Sequence, residues 1–366
     1  MQGIFQKENT DKALKYGIYR HLPTYEKIIR NLVSFFNKDE LFFKKYYFLD
    51  KTKQNIEYFY KENQNDATNL NIALHPESLP IYHYEDDFIK KNHNISIIKH
   101  PRYIPYFEHK HAYFEILYVL DGQCDNTIFD TELLLKKGDF CLIAPHISHG
   151  VKNFDDNSIV INILVRESTF LDTFMNYIKD KDLLSIFFIN HLFSKTKTKY
   201  LIFHTHGDSQ ILNYVLQMYE EHKQMDIYSD RIICSMFSIL MSLLNRNYNK
   251  DITISQNNII KNLPDFQIID YLLKNYKHAS LENISKEFHY TVPYCSKLIK
   301  ETTGYSFSEL LTKIRMQNGK NLLLNTRLSI EAISLNLGYK NPETFIRVFK
   351  KNYLITPHQF RKQANL

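Results

Sequence analysis

The sequence predicts an α+β protein: an N-terminal helical extension, an antiparallel β-barrel or sandwich with helices after it, and an all-α C-terminal domain with two helix-turn-helix units. Three observations predict it. Short apolar runs broken by turn residues crowd residues 95 to 165. Apolar residues at helical spacing dominate on either side of them. Near the C-terminus, one helix-turn-helix pattern recurs about 49 residues after its first appearance.

The chain has 366 residues, enough for two or three domains with their own cores. Hydrophobic residues make up 44% and aromatics 14%, so most of the chain should fold rather than stay disordered. No apolar stretch follows a basic start, which argues against a secretory signal and for a cytoplasmic protein. The densest apolar run, Ile232 to Leu244, is too short to span a bilayer and is flanked by Arg231 and Arg246. No membrane role is expected. Cys124, Cys141, Cys234 and Cys295 are widely spaced without a CxxC pair, which excludes a zinc ribbon and fits a reducing compartment.

Within residues 1–92, "EKIIRNLVSFF" places Ile28, Ile29, Leu32, Val33 and Phe36 on one helical face. This segment reads as a helical extension of open role. Residues 93–166 hold the candidate strands "ISIIK", "FEILYVL", "TIFD", "ELLLK", "FCLIA" and "SIVINILV", with turns at Asp121-Gly122 and Lys137-Gly138-Asp139. Residues 167–249 return to helices, clearest in "ILNYVLQMYEEH" and "RIICSMFSILMSLLNR". The latter is apolar on nearly every side and should be buried, in a core or against a second subunit. The Asn-rich stretch 250–264 reads as a linker.

Charge is unevenly spread. Residues 265–366 carry 15 Lys and Arg against 8 Asp and Glu, a net of +7, whereas the whole chain is only +6. A basic domain on a near-neutral body points to a polyanionic partner. Its pattern agrees. In "HASLENISKEFHYTVPYCSKLIKETTGYS", Ser280 is an N-cap and Leu281, Ile284 and Phe288 form an apolar face. The next helix starts near Thr291, tolerates Pro293 in its first turn, and should turn Tyr294, Leu298 and Ile299 inward. In "LSIEAISLNLGYKNPETFIRVFKKNY", Ser329 caps, Ile330, Ile333 and Leu337 share a face, and Gly338 turns the chain. Asn341 caps the following helix, Pro342 opens it, and Phe345, Val348 and Phe349 face inward. "FSELLTKIRMQNGKNLLLNT" joins the two units as one long helix.

Two such units on a rigid connector can place two helices in successive major grooves of double-stranded DNA. Ser296 and Lys297 would point outward from the first, and Glu343, Thr344 and Arg347 from the second. Lys300, Lys340, Lys350 and Lys351 are placed for phosphates. "GYKNPETFIRVFKKNYLITPHQFRK" resembles the AraC family signature through Gly338, Tyr339, Phe345, Arg347, Phe349, Lys350, Thr356, Pro357, Phe360 and Arg361. The resemblance covers roughly residues 265 to 363. It implies base contacts at Pro293, Ser296 and Lys297, and at Pro342, Glu343, Thr344 and Arg347. The chain departs from the family at His289 and Leu354, where glycine is common, and at Pro293, which offers no polar side chain.

"HKHAYFEILYVLDG" is the other informative stretch. Side chains alternate along a strand, so His109, His111, Tyr113, Glu115 and Leu117 share a face if the run is extended. "KKGDFCLIAPHISHGV" adds His146 and His149. Together these resemble the two motifs of a cupin barrel: His-x-His, three residues, Glu, six residues, Gly, then Gly-Asp, Pro and His. The resemblance implies a metal set of His109, His111, Glu115 and His149, suited to iron, manganese, zinc or nickel. Three readings stay open: a divalent metal that performs chemistry or senses a ligand, a pocket for a small effector, and hydrogen-bonded core filling.

The resulting expectation is a non-enzymatic transcription regulator of AraC type, more an activator than a repressor, that works with RNA polymerase as a homodimer. A small polar effector such as a sugar would bind in the cupin-like domain, with His109, His111, Tyr113, Glu115 and His149 in its pocket. No cofactor is required beyond the optional metal. The alternative is a metal-dependent cupin enzyme or metal sensor fused to a DNA-binding domain.

Overall fold

The computed structural model describes residues 25–34, 37–170, 183–193, 198–255 and 263–364. It begins with four helices: α1 (Tyr25–Ser34), α2 (Lys38–Tyr47), α3 (Lys53–Glu62) and α4 (Ala67–Leu74). On the expected face of α1, Ile28 and Leu32 are buried and Ile29 is partly so, while the side chains of Val33 and Phe36 lie outside the described residues. Asn37, Thr52 and Asp66 cap α2, α3 and α4 by accepting from backbone N–H groups three residues on.

The extension is not a separate body. Phe42, Phe43, Phe59, Leu70 and Ala73 share a small core with Tyr103 of the β-domain, and Tyr47 stacks on Phe154 at 4.8 Å. The join is also ionic. The carboxylate of Glu40 accepts from Arg102 Nε at 3.0 Å and Lys99 Nζ at 3.0 Å, with Glu40 and Arg102 fully buried. Lys44 and the Tyr103 hydroxyl both bind Asp156.

The β-domain comprises β1 (Tyr82–His83), the short α5 (Glu85–Phe88), β2 (Ile95–Lys99), β3 (Lys110–His111), β4 (Phe114–Asp121), β5 (Gln123–Ile128), β6 (Thr131–Lys136), β7 (Asp139–Ile143), β8 (His149–Lys152) and β9 (Ile159–Val165). It continues, through α6 (Leu183–Phe193), to β10 (Tyr200–His204), α7 (Ser209–Gln224), α8 (Ser229–Tyr248) and β11 (Ile252–Ile254). Six antiparallel strands run in the order β11-β10-β7-β4-β9-β2 and three in the order β6-β5-β8. With the two-stranded parallel pair β1-β3, these sheets make up the β-rich domain that the sequence led one to expect between helical segments.

Alternation along β4 sorts the core. Phe114, Ile116, Tyr118 and Leu120 join Phe140, Leu142, Ile161, Ile163, Phe237 and Leu240 beneath the helices. Leu117 and Val119 turn the other way, into a second core with Cys124, Cys141, Val160 and Ile202. Glu115 belongs to that second face.

Three boundaries differ from the sequence reading. "TIFD" is only the end of β5, because Phe129 has φ 56° and breaks the strand. β10 lies within the 167–249 span read as helical, and pairs with β7 from Tyr200↔Ile143 to His204↔Asp139. A five-residue apolar run between helices carries too little periodicity to be assigned alone. β11 lies within the expected 250–264 linker, pairs with β10, and is followed by α9 (Leu263–Asn275). α8 buries Ile233, Phe237, Leu240, Met241 and Leu244 but exposes Ile232 and Ile239, so its apolar character is not wholly satisfied within the chain.

The C-terminal domain is α9, α10 (Leu281–Phe288), α11 (Val292–Thr303), α12 (Phe307–Asn325), α13 (Ile330–Asn336), α14 (Pro342–Tyr353) and α15 (Pro357–Ala364). Ser280, Thr291, Ser306, Ser329 and Asn341 all cap as their residue types demand. Gly338 has φ 81°, and a Cβ there would lie 2.1 Å from the Lys277 carbonyl oxygen.

Candidate functional site

Two regions collect polar chemistry. The first lies at one end of the β-domain. His109 and His149 exchange both backbone hydrogen bonds, at 2.9 and 3.0 Å, which brings their rings to 4.5 Å. Ligand atoms of His109, Glu115 and His149 all lie within 4.8 Å of one another. Glu115 Oε2 sits 2.7 Å from His149 Nε2 and 3.2 Å from His111 Nε2. The run His109 to Leu117 is not one strand, since it bends at Ala112 and Tyr113 between β3 and β4. Even so, His109, His111, Glu115 and His149 come together, and Tyr113 stacks on His111 at 4.3 Å. His146, with φ 66°, stacks on Tyr82 instead.

Hydrogen bonds fix the imidazoles. Nδ1 of His111 donates to the Tyr113 carbonyl at 2.7 Å and Nδ1 of His149 to the Ile147 carbonyl at 3.1 Å. In neutral rings this leaves both Nε2 lone pairs aimed at the Glu115 carboxylate. Three acceptors on one point call for a shared cation, a proton or a metal ion. Nδ1 of His109 is buried without a protein partner as well. The electrostatics agree. Burial lowers His109 to about 3 and also lowers His111, so both rings favour the neutral, ligating form. Burial acts to raise Glu115, but His111 and His149 outweigh it and hold the carboxyl well below its usual range. The donor set fits a divalent metal.

Sequence reasoning missed three neighbours. Asn162 Nδ2 donates to Glu115 Oε1 at 2.8 Å and approaches His100 Nδ1 at 3.3 Å. His100 is half-buried, and the desolvation of its ring lowers it to about 4. His83 of β1 packs against His109 with ring centres 5.4 Å apart. All three are distant in sequence, and only strand pairing reveals them.

The second region is the outer face of the C-terminal domain. Pro293 and Lys297 on α11 are exposed and Ser296 is partly so; Glu343 and Arg347 on α14 are exposed, with Pro342 and Thr344 half-buried. Lys300, Lys340, Lys350 and Lys351 are all exposed around them. One expectation fails: Tyr294 points outward at 47% exposure, and Cys295 takes the inward place beside Leu298 and Ile299. His289 and Leu354, standing where the family favours glycine, take left-handed φ of 55° and 65°.

A β-domain with a buried polar site, joined to tandem helix-turn-helix units, defines the class of ligand-binding domains coupled to DNA-binding domains. Residues 97–179 match the AraC-like ligand binding domain, and residues 284–363 a helix-turn-helix domain. In these two segments the chain is similar to transcriptional regulators of the AraC type. It is 34% identical over 99 residues to the lactose operon transcription activator of Staphylococcus xylosus, which is 27% of this chain and 36% of that protein. To the regulatory protein PocR of Salmonella typhimurium it is 33% identical over 85 residues, 23% of this chain and 28% of that protein. The chain thus spans about a third of the length of these relatives. Among solved structures, it resembles the C-terminal domain of AraT from Geobacillus stearothermophilus at 34% identity and TM-score 0.26, covering 27% of this chain and 84% of that one. It resembles unsaturated fatty acid-bound ToxT from Vibrio cholerae at 17% identity and TM-score 0.29, covering 74% and 96%. No helix among the described residues is long and apolar enough to cross a membrane.

Proposed function

We propose that this chain is a cytoplasmic transcription regulator that binds promoter DNA through α11 and α14 and responds to an effector held by the histidine cluster. The observation that carries it is the pair of capped helix-turn-helix units, each presenting exposed polar and basic side chains on its second helix. Ser296, Lys297, Glu343, Thr344 and Arg347 would read base edges, while Lys300, Lys340, Lys350 and Lys351 hold phosphates. Activation, through contact with RNA polymerase, is the direction proposed. Pairing of two copies would use the exposed stripe on α8, where Ile232 and Ile239 alternate with Ser235 and Ser242.

The effector is a small polar molecule such as a sugar, bound directly or through a divalent cation. The cation reading is favoured by the two Nε2 atoms converging on one carboxylate oxygen. His109, His111, Glu115 and His149 would hold the ion, which would supply a charged anchor for an oxygen-rich ligand. Asn162 would orient the carboxylate and Tyr113 the His111 ring.

The test has two parts. Fluorescence anisotropy with fragments from the chain's own upstream region should show tight, sequence-selective binding that fails in an Arg347→Ala, Lys297→Ala double variant. Equal binding to scrambled DNA would refute the regulator reading. Elemental mass spectrometry on protein purified without a His-tag should find near one metal per chain, lost in His111→Ala. Metal-free protein in both cases would leave the cluster as a direct effector pocket.

A further inference from the structure

The caps of the two helix-turn-helix units put α11 and α14 in one register. Thr291 Oγ1 accepts from the Tyr294 backbone N–H at 3.4 Å, and Asn341 Oδ1 from the Thr344 backbone N–H at 3.1 Å. Each cap thus binds the third residue of its helix. The residues that follow correspond as well. Cys295 and Phe345 are both fully buried, and three positions after Tyr294 and Thr344 come Lys297 and Arg347, both exposed. Tyr294 therefore stands on α11 where Thr344 stands on α14. Residues near the N-terminus of a helix in the major groove are the ones that reach base edges.

What α11 offers at that point is apolar. Its first turn carries no acidic side chain, and Pro293 and Tyr294 are exposed next to each other. The Tyr294 ring is also held in place. It meets the Tyr290 ring edge to face, with centres 5.0 Å apart and planes at 69°. Tyr290 is half-buried and stacks on Phe288 at 6.5 Å, and its carbonyl accepts from the Ser285 hydroxyl. A ring fixed before docking loses little conformational freedom on binding. The matching side chain on α14 is of similar character. Thr344 donates its hydroxyl to Asn341 Oδ1 at 2.6 Å, so its methyl group is the part left unengaged.

We propose that Tyr294, with Pro293 beside it, is a thymine reader: its ring packs on the 5-methyl group that marks thymine in the major groove. That methyl is the apolar feature which a base pair presents there, and apolar side chains recognise it by contact. The proposal rests on α11 entering DNA, and deepens that reading by naming what the first unit selects. The two units then choose differently. Arg347 of α14 suits a guanine edge, whereas the first turn of α11 suits a thymine.

The probe is a duplex selected by the full chain from a random library, with copies in which each thymine in turn is replaced by deoxyuridine. That replacement removes the methyl group and nothing else. In competition binding, wild type should lose about 3- to 10-fold at one or two of these positions. Tyr294→Ala and Tyr294→Gln should each bind the parent duplex about 3- to 10-fold more weakly and treat thymine and deoxyuridine alike there, with unchanged far-ultraviolet dichroism. Tyr294→Phe, which keeps the ring, and Arg347→Ala, which alters α14, should both retain the loss. If wild type is indifferent to every replacement, or both Tyr294 truncations keep the full loss, the thymine proposal is wrong. Disappearance of the loss in Tyr294→Phe would put the contact in the hydroxyl and overturn it too. If the library yields no preferred duplex, the DNA-binding reading itself fails and the thymine reader falls with it.

Discussion

At Leu354 the chain pays steric strain without an evident return in contacts. The residue ends α14 at φ 65° and is 83% exposed. A left-handed conformation costs a side-chain-bearing residue about 1–2 kcal/mol. Leu354→Gly should therefore stabilise the C-terminal domain by about 1 kcal/mol, seen as a higher urea midpoint; an unchanged or lower midpoint would show that the leucine is used. Gly338 is the opposite case. Gly338→Ala meets the Lys277 carbonyl as well as the unfavourable φ, and should destabilise by about 2 kcal/mol or more. Glu40 is a third residue whose surroundings decide its role. Burial acts to raise its carboxyl, but hydrogen bonds from Arg102 and Lys99 outweigh it and hold it below the usual range. A lowered folded value gives stability that is full above the unfolded value of about 4.3 and is lost as pH falls through the folded one. Urea midpoints should therefore drop from pH 6 to pH 3 more in wild type than in Glu40→Gln. Glu40→Ala strands the buried Arg102 and should cost about 3–5 kcal/mol.

Among the elements, α11 and α14 are the helices proposed to meet DNA. Both are twelve-residue helices with a capped N-terminus, a proline in the first turn and a left-handed C-terminal residue. Their exposed faces differ in chemistry: Lys297 forms a loose 3.8 Å pair with Glu301 on α11, whereas α14 presents Glu343, Thr344 and Arg347. Arg347→Ala should lose about 1–3 kcal/mol on the preferred site and relax choice at one position. Lys350→Ala should weaken every sequence alike and lower the salt slope by about one. Competition binding at several salt concentrations separates the two, and identical profiles would defeat the assignment.

Over the whole molecule, the nineteen-residue α12 spaces the two units; at about 1.5 Å per residue it is about 28 Å long, near one turn of DNA. Hydroxyl-radical footprints should therefore show two protected segments about one turn apart on one face, and a single protected segment would mean that only one unit docks. The exposed Ile232 and Ile239 make α8 the proposed pairing surface. Ile239→Asp should shift sedimentation velocity toward a single chain without lowering the melting point. If the wild type already sediments as a single chain, α8 has no such role.

The C-terminal domain was legible in the sequence because its determinants are local. Ser280, Ser329 and Asn341 cap helices that start within a residue or two, Gly338 turns within its own unit, and the inward positions repeat at helical spacing. Tyr294 was misplaced because periodicity fixes a face but not which of two adjacent residues lies at its edge. The histidine site was half legible. Strand alternation aligned His111 with Glu115, and spacing picked out His149, but only pairing of β3, β8 and β9 added His83, His100 and Asn162. Glu40 and Arg102 are 62 residues apart, and their pairing left no local trace. Helices, caps, the exposed faces of α11 and α14 and the core of the histidine cluster are thus written in neighbouring residues. The sheet order, the anchoring of the extension and the pairing of β1 beside the cluster were decided by tertiary structure, because those contacts join residues whose separation along the chain carries no periodic signal.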